Sequence, residues 1–355
     1  MKALIAMSGG VDSSVAAYLT IRRGYDCTGV TMRLFDSSEP ADTPKKSCCS
    51  LDDVEDARSV CRRLEIPYFV CNFKESFREN VIDRFIRAYE LGATPNPCID
   101  CNRYMKFDKL MRRAEELGMD IVVTGHYARV EYNEACGRYL LKKAADAAKD
   151  QSYVLYSLTQ EQLRRLYLPL GSLTKEKTRA IADEQGFVNA AKRDSQDICF
   201  VPDGKYAEFI ERYTGKTYPH GDFVDESGKV LGKHKGMIRY TIGQRKGLGL
   251  ALPQPMYVKE KNLEENKVVL CKNDALFTSE LTATDLNLIA VDRITGEMHL
   301  NARVRYNQKE QPATVTQTDD NTIRVVFDEP QRAICKGQAV VLYDVDTVVG
   351  GAVIT

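Results

Sequence analysis

The chain has 355 residues, too many for one average domain, so two or three are expected. Its hydrophobic fraction of 43% suits ordinary cores, and no apolar run approaches the roughly 20 residues of a membrane span, so no membrane attachment is expected. Fifty basic and 50 acidic residues cancel, which excludes a whole-molecule attraction to nucleic acid but leaves local basic patches open. Eleven cysteines without a signal-peptide pattern after Met1 and Lys2 point to reduced thiols in a cytoplasmic protein.

In chain order, Ala3 to Met7 reads as a buried strand and Ser13 to Arg23 as a helix ending at Gly24. Cys27 to Leu34 is strand-like, Asp52 to Leu64 helical, Tyr68 to Phe73 a strand and Phe77 to Leu91 a helix. Met105 to Leu117 is a further helix, and Asp120 to Thr124 a strand running into "GHYARV". Such alternation predicts a doubly wound parallel sheet, whose ligands bind beyond the carboxyl ends of the strands. Both "SGG" and "TGHY" fall at such ends. "SSEPADTPKK", residues 37 to 46, is the most loop-like segment.

The pattern changes after about Val201. "YAEFIERYTG" is one last clear helix, and "GDFVDESGKVLGKHKG" reads as short strands with Gly turns. From about Leu276, "ARVRY", "ATVTQT", "TIRVVF" and "QAVVLYDVDTVVGGAVI" alternate at period two, the signature of a small antiparallel barrel or sandwich. The expected division is 1–203, 204–276 and 277–355.

"MSGGVDSS" leaves the first strand and enters the first helix. Gly9 and Gly10 let backbone N–H groups curl inward, Ser8, Ser13 and Ser14 add hydroxyls, and the helix start adds its positive end. A Gly turn with a Ser cap would explain a lone "SGG", but its place at a strand end favours phosphate. The Gly-Lys-Ser/Thr ending of a Walker loop and the G-x-G-x-x-G fingerprint are both absent.

Two further signals involve thiols. "ATPNPCIDCNRYMKF" puts Cys98 and Cys101 in a Pro-braced loop before a helix, with Asn102 as its cap, where the dipole favours thiolate. "KRDSQDICFV" ends in Cys199. Cys27, Cys61, Cys71, Cys271 and Cys335 sit at apolar-periodic positions and read as packing residues; Cys136 lies in a polar turn, and Cys48 and Cys49 read as structural. Without a second C-x-x-C neither a structural zinc site nor, without its surrounding pattern, a thioredoxin motif is expected.

The octet resembles the pyrophosphate loop of the ATP pyrophosphatase superfamily. Together with "TPNPCIDCN", "TGHYARV", "KDQSYVLYSL", "DSQDICF" and "YTIGQRKGLG", it makes nearly the whole chain similar to tRNA-specific 2-thiouridylases. The resemblance implies a parallel-sheet domain with that loop, a small central α+β domain and a C-terminal β-barrel. It also implies that ATP, with Mg2+, adenylates the C2 oxygen of the wobble uridine, which sulfur then displaces. ATP would meet Ala6, Met7, Ser8, Gly9, Gly10, Val11, Asp12, Ser13, Met32 and Gly125. Cys199 matches the persulfide carrier, loaded by a sulfur donor protein, and Cys101 the thiol that attacks the sulfur–sulfur bond, leaving a Cys101–Cys199 disulfide. The family often has Asp where this chain has Cys98. That third thiol opens a second scheme, in which Cys98, Cys101 and Cys199 hold a [4Fe-4S] cluster with one open iron.

By the same resemblance, Asn96, Pro97 and Cys98 border the target base with His126 close by. Lys149, Asp150 and Gln151, and farther on Arg305, Tyr306 and Gln338, would contact the tRNA anticodon loop. From residues alone, "GKHKGMIRYTIGQRKG" is the densest basic stretch, with Lys233, Lys235, Arg239, Arg245 and Lys246 beside Tyr240; it reads as phosphate-binding against the alternative of a solvated hairpin. Two rival functions remain. A pyrophosphatase-type amidotransferase or ligase leaves the thiols idle, and a non-catalytic RNA-binding or sulfur-relay protein does not explain the intact phosphate loop.

Overall fold

A computed structural model describes residues 1–35, 51–192, 194, 198–201 and 204–355. The chain forms two compact units, one of Met1–Ile82, Pro97–Gly204 and Val345–Gly350, the other of Asp83–Asn96, Lys205–Asp344 and Gly351–Thr355.

The first unit is built on strands β1 (Lys2–Ala6), β2 (Asp26–Arg33), β3 (Tyr68–Asn72) and β4 (Ile121–Val123), with helices α1 (Val11–Arg22) and α2 (Leu51–Arg63). Strands β5 (Ala128–Asn133) and β6 (Arg138–Lys143) form an antiparallel hairpin, and β7 (Leu166–Tyr167) completes a five-stranded sheet in the order β3-β2-β1-β4-β7. All its pairings are parallel, Ala3 facing Cys27 on one side and Ile121 on the other. Ala3, Leu4 and Ile5 are fully buried, which explains why β1 reads as a continuous apolar run. Ala3, Ile5 and Met7 pack with Val11 and Val15 of α1 and Ala57, Val60 and Cys61 of α2. The strand order reverses about β1: the chain moves to β2 on one side and resumes at β4 on the other. Doubly wound sheets bind their ligands at such a switch point, here beyond the carboxyl ends of β1 and β4.

The second unit has a helix at Tyr206–Thr214, ended by Gly215 in the left-handed region, and a four-stranded sheet. Its strands are β8 (Gly221–Asp225), β9 (Val230–His234), β10 (Tyr257–Asn262) and β11 (Lys267–Cys271), around Phe223, Tyr240, Val258, Val268 and Leu270. The last strands are β12 (Phe277–Leu288), β13 (Glu297–Arg303), β14 (Gln311–Gln317), β15 (Ile323–Arg332), β16 (Ala339–Asp344) and β17 (Thr347–Ile354), of which β17 belongs to the first unit as far as Gly350. They run β12-β15-β14-β13-β16-β17, and a β12–β17 pairing closes six strands into a barrel. Closure removes the exposed edges that period-two strands would otherwise present.

Two local expectations are corrected. The helix expected at Met105 starts at Pro97: an α-helical turn over Pro97–Asp100 continues through a π-helical stretch, Cys101–Lys109, into Leu110–Glu116. Asn102 therefore lies inside the helix and is not its cap; it is buried, and its Nδ2 donates to the Val154 carbonyl at 3.2 Å. Tyr240, expected beside the basic stretch, is a core residue edge-on to Phe223 and His234.

Candidate nucleotide and thiol site

The loop after β1 is shaped by what surrounds it. Gly9 adopts φ +76°, and a Cβ there would stand 2.4 Å from the Asp53 carbonyl oxygen. Both facts restrict the position to glycine. Gly10 is extended and precedes α1 without any side-chain cap. Among the described residues no side chain caps the first N–H groups of α1, which present an anion site. Ser13 Oγ accepts from the Ser8 N–H at 3.2 Å and from Ser8 Oγ at 3.3 Å, and donates to the Gly10 carbonyl at 2.9 Å. Ser14, expected as a further donor to the ligand, faces inward, where its fully buried hydroxyl meets Gly10 O and Asn189.

Around this loop lies a charged network that sequence reasoning missed. Lys175 Nζ donates to both oxygens of Asp12, at 2.7 and 2.8 Å, and pairs with Asp194 at 2.7 Å. Tyr127 OH donates to Asp12 at 2.9 Å, while Lys149 and Arg179 also hold Asp194. Burial alone would raise the Asp194 pKa, but Lys149 and Lys175 bring it below the usual carboxylate range. Lys192 Nζ reaches the Gly9 carbonyl at 3.3 Å, Asp53 at 2.7 Å and Asp56 at 2.6 Å. Lys192 and Asp194 sit in the very segment read only for Cys199; nothing local marked Lys175.

At the end of β4, Gly125 packs directly on the start of α1: a Cβ there would lie 2.7 Å from the Asp12 carbonyl carbon and 2.9 Å from the Ser13 nitrogen. Chain-on-chain packing thus accounts for glycine at this position. His126 is buried, its Nδ1 2.7 Å from Thr124 Oγ1 and its Nε2 3.3 Å from Lys106 Nζ. Burial, and after it the Lys106 charge, holds its pKa well below the ordinary histidine value. Met32 is half-buried in β2, beside Cys71.

Cys98 is exposed, whereas Cys101 and Cys199 are half-buried. Cys27, Cys61, Cys71, Cys271 and Cys335 are buried as expected, and burial pushes the Cys61 thiol up to about 12. Cys136 is exposed in its turn, and Cys48, Cys49 and residues 37–46 lie outside the described residues. Among the described residues no three His, Cys, Asp or Glu side chains gather to hold a metal ion, so Cys98, Cys101 and Cys199 do not fit a cluster in this arrangement. No helix among them is long and apolar enough to cross a membrane.

The expected RNA contacts fall in varied surroundings. Pro97 is buried and Asn96 half-buried. Asp150 is buried, accepting from the Ala144 and Ser152 N–H groups and the Ser152 hydroxyl, and Gln151 accepts from the Tyr127 N–H. In the second unit Arg305 donates to the Ala333 carbonyl and lies 2.8 Å from Cys335 Sγ, Tyr306 stacks under Arg303, and Gln338 donates to the Thr94 carbonyl at 2.7 Å. In the basic stretch Lys233 pairs with Asp222 and Arg239 with Glu208 and Glu211, while Lys235, Arg245 and Lys246 are exposed.

Residues 1–203 match the family model described as the tRNA methyl transferase HUP domain, 207–272 the tRNA methyl transferase PRC-barrel domain, and 278–354 the aminomethyltransferase beta-barrel domain. The chain is 50% identical over 353 residues to the tRNA-specific 2-thiouridylase MnmA of Clostridioides difficile, covering 99% of this chain and 98% of that protein. It is 49% identical over 354 residues to the MnmA of Acetivibrio thermocellus, covering 99% of each. With the protein of the same name from Carboxydothermus hydrogenoformans it shares 51% over 354 residues, 99% of this chain and 97% of that one.

Proposed function

The chain belongs to the tRNA-specific 2-thiouridylase family, and on that premise we propose that it uses ATP to replace the C2 oxygen of the wobble uridine of tRNA with sulfur. The observation that carries this reading is a chain of contacts. The Cys101 helix is tied through Lys106 to His126 at 3.3 Å, at the end of β4, and Gly125 there packs on the first turn of α1, whose N–H groups no side chain caps among the described residues.

A uridine carbonyl oxygen is a poor leaving group. Attack of O2 on the α-phosphorus releases pyrophosphate and turns that oxygen into part of AMP. Ser8, Gly9, Gly10 and Ser13 are arranged to hold the departing phosphates, and Asp12 is the loop carboxylate to which Mg2+, travelling with the triphosphate, would bind. Cys199 carries sulfane sulfur as a persulfide received from a donor protein. The Cys101 thiolate attacks the Cys199 sulfur: the Cys101–Cys199 bond forms, the bond to sulfane sulfur breaks, and sulfide leaves with the electron pair. Sulfide adds at C2 and AMP departs, after which two electrons from an external thiol reductant reopen the disulfide. Cys98 lines the base pocket. Lys235, Arg245 and Lys246 supply phosphate contacts, with 204–276 and 277–355 as the RNA-contacting parts.

The test is AMP and pyrophosphate release with and without tRNA. Release that requires tRNA is expected; release dependent on ammonia or an amino acid, and indifferent to tRNA, would return the chain to the amidotransferase or ligase class.

A further inference from the structure

The π-helical stretch over Cys101–Lys109 has a consequence for which side chains share a face. In an α-helix of 3.6 residues per turn, residues i and i+5 stand about 140° apart around the axis. Where hydrogen bonds close from i to i+5, those residues come onto one face. Lys106 is thereby wound to the Cys101 side of the helix.

Among the described residues Lys106 pairs with no carboxylate, and its partner is His126 Nε2. Asp108, on the same stretch, is taken by Arg112 at 2.7 Å. A lysine ammonium only donates, so Nε2 accepts; the ring proton then sits on Nδ1 and is donated to Thr124 Oγ1. A buried neutral imidazole orients the ammonium without cancelling its charge. The phosphate side already has Lys175 and Lys192, each matched by carboxylates. The charge left over lies on the helix that bears the attacking thiol.

Resting on the function proposed above, we propose that Lys106 is the cation that stabilises the sulfur anions of this site, keeping Cys101 as thiolate, and that His126 is the positioning residue that seats it. An adjacent ammonium favours the thiolate form, and sulfide leaving Cys199 is a second anion in the same place. This gives the site an electrostatic device where the family's Asp is replaced by Cys98.

The experiment compares Lys106→Met, which keeps length and loses charge, with Lys106→Arg, which keeps charge. The first readout is iodoacetamide alkylation of Cys101 at fixed pH in the protein alone, mapped by peptide mass. The second is single-turnover AMP formation and sulfur transfer with tRNA. In Lys106→Met, Cys101 alkylation is expected to slow about ten- to hundredfold, and sulfur transfer to fall by a similar factor more than AMP formation does. Lys106→Arg should restore both. Unchanged Cys101 alkylation in Lys106→Met, a Lys106→Arg as slow as Lys106→Met, or equal loss of AMP formation and sulfur transfer would each overturn the proposal. If the parent chain forms no AMP with tRNA, the function reading fails, while alkylation still decides the role of Lys106.

Discussion

Replacing Lys175 by Met removes the centre of the network that fixes Asp12. The Lys175 side chain is 10% exposed, against 31% for Asp12 and 22% for Asp194, and it meets each carboxylate at 2.7 Å. Two unit charges about 4 Å apart interact by about 4 kcal/mol at an effective dielectric of 20. Solvent screening of the partly exposed carboxylates, and hydration recovered by them, reduce the net loss to about 2–4 kcal/mol. For a unit of this size that is a fall in Tm of about 4–16 °C. Asp12, released from Lys175, no longer holds its place on the phosphate loop, and displacements of that kind cost about a hundredfold in rate. The assay is a circular-dichroism melt with AMP formation on the same sample, since the chain has no tryptophan for fluorescence. A melt within about 1 °C of the parent, combined with the parental rate of AMP formation, would refute the assignment of Lys175 as the anchor of Asp12.

Cys199→Ser should still adenylate tRNA but transfer no sulfur, so adenylated tRNA accumulates and is seen by mass; normal thiolation would remove Cys199 from the mechanism. Reversing Arg245 and Lys246 to Glu should weaken tRNA binding and lower its log–log salt slope by about two, one for each lost phosphate contact. ATP binding should hold, and an unchanged slope would return the segment to a solvated hairpin. His126 and His234 are both held by burial below the histidine reference of 6.5, so each binds its proton more readily in the unfolded chain. Their contribution to stability is therefore complete above about pH 6.5 and declines below it, by up to about 1.4 kcal/mol per pH unit for each. Urea melts at pH 7.5 and 5.5 should show that loss, reduced in His126→Asn; equal losses in variant and parent would exclude His126 as a source.

The parallel sheet and its phosphate loop were legible because both are written in local pattern: the buried run of β1, the Gly9–Gly10 pair and the helix that follows. The period-two strands of the barrel were legible for the same reason, since one face of each is buried. What escaped depends on distance in sequence. Lys175 meets Asp12 across 163 positions, and no local feature distinguishes it from Lys177. Asn102 carries a cap-like identity, yet its contact with Val154 overrides that preference, and Pro97, well suited to a first helical turn, was the better marker of the helix start. The π-helical winding that brings Lys106 to the Cys101 face leaves no sequence periodicity to detect. Tyr240 looked like a stacking ring because its neighbours are basic, but its side chain is drawn into the core with Phe223.

Nucleoside mass analysis of unmodified tRNA, after incubation with the protein, ATP, a sulfur donor and a thiol reductant, tests the proposed activity most directly. The expected result is 2-thiouridine at the wobble position, formed only when ATP is present and absent with Cys199→Ser. Uridine left unchanged while ATP is cleaved, or a thiolated nucleoside formed without ATP, would contradict it.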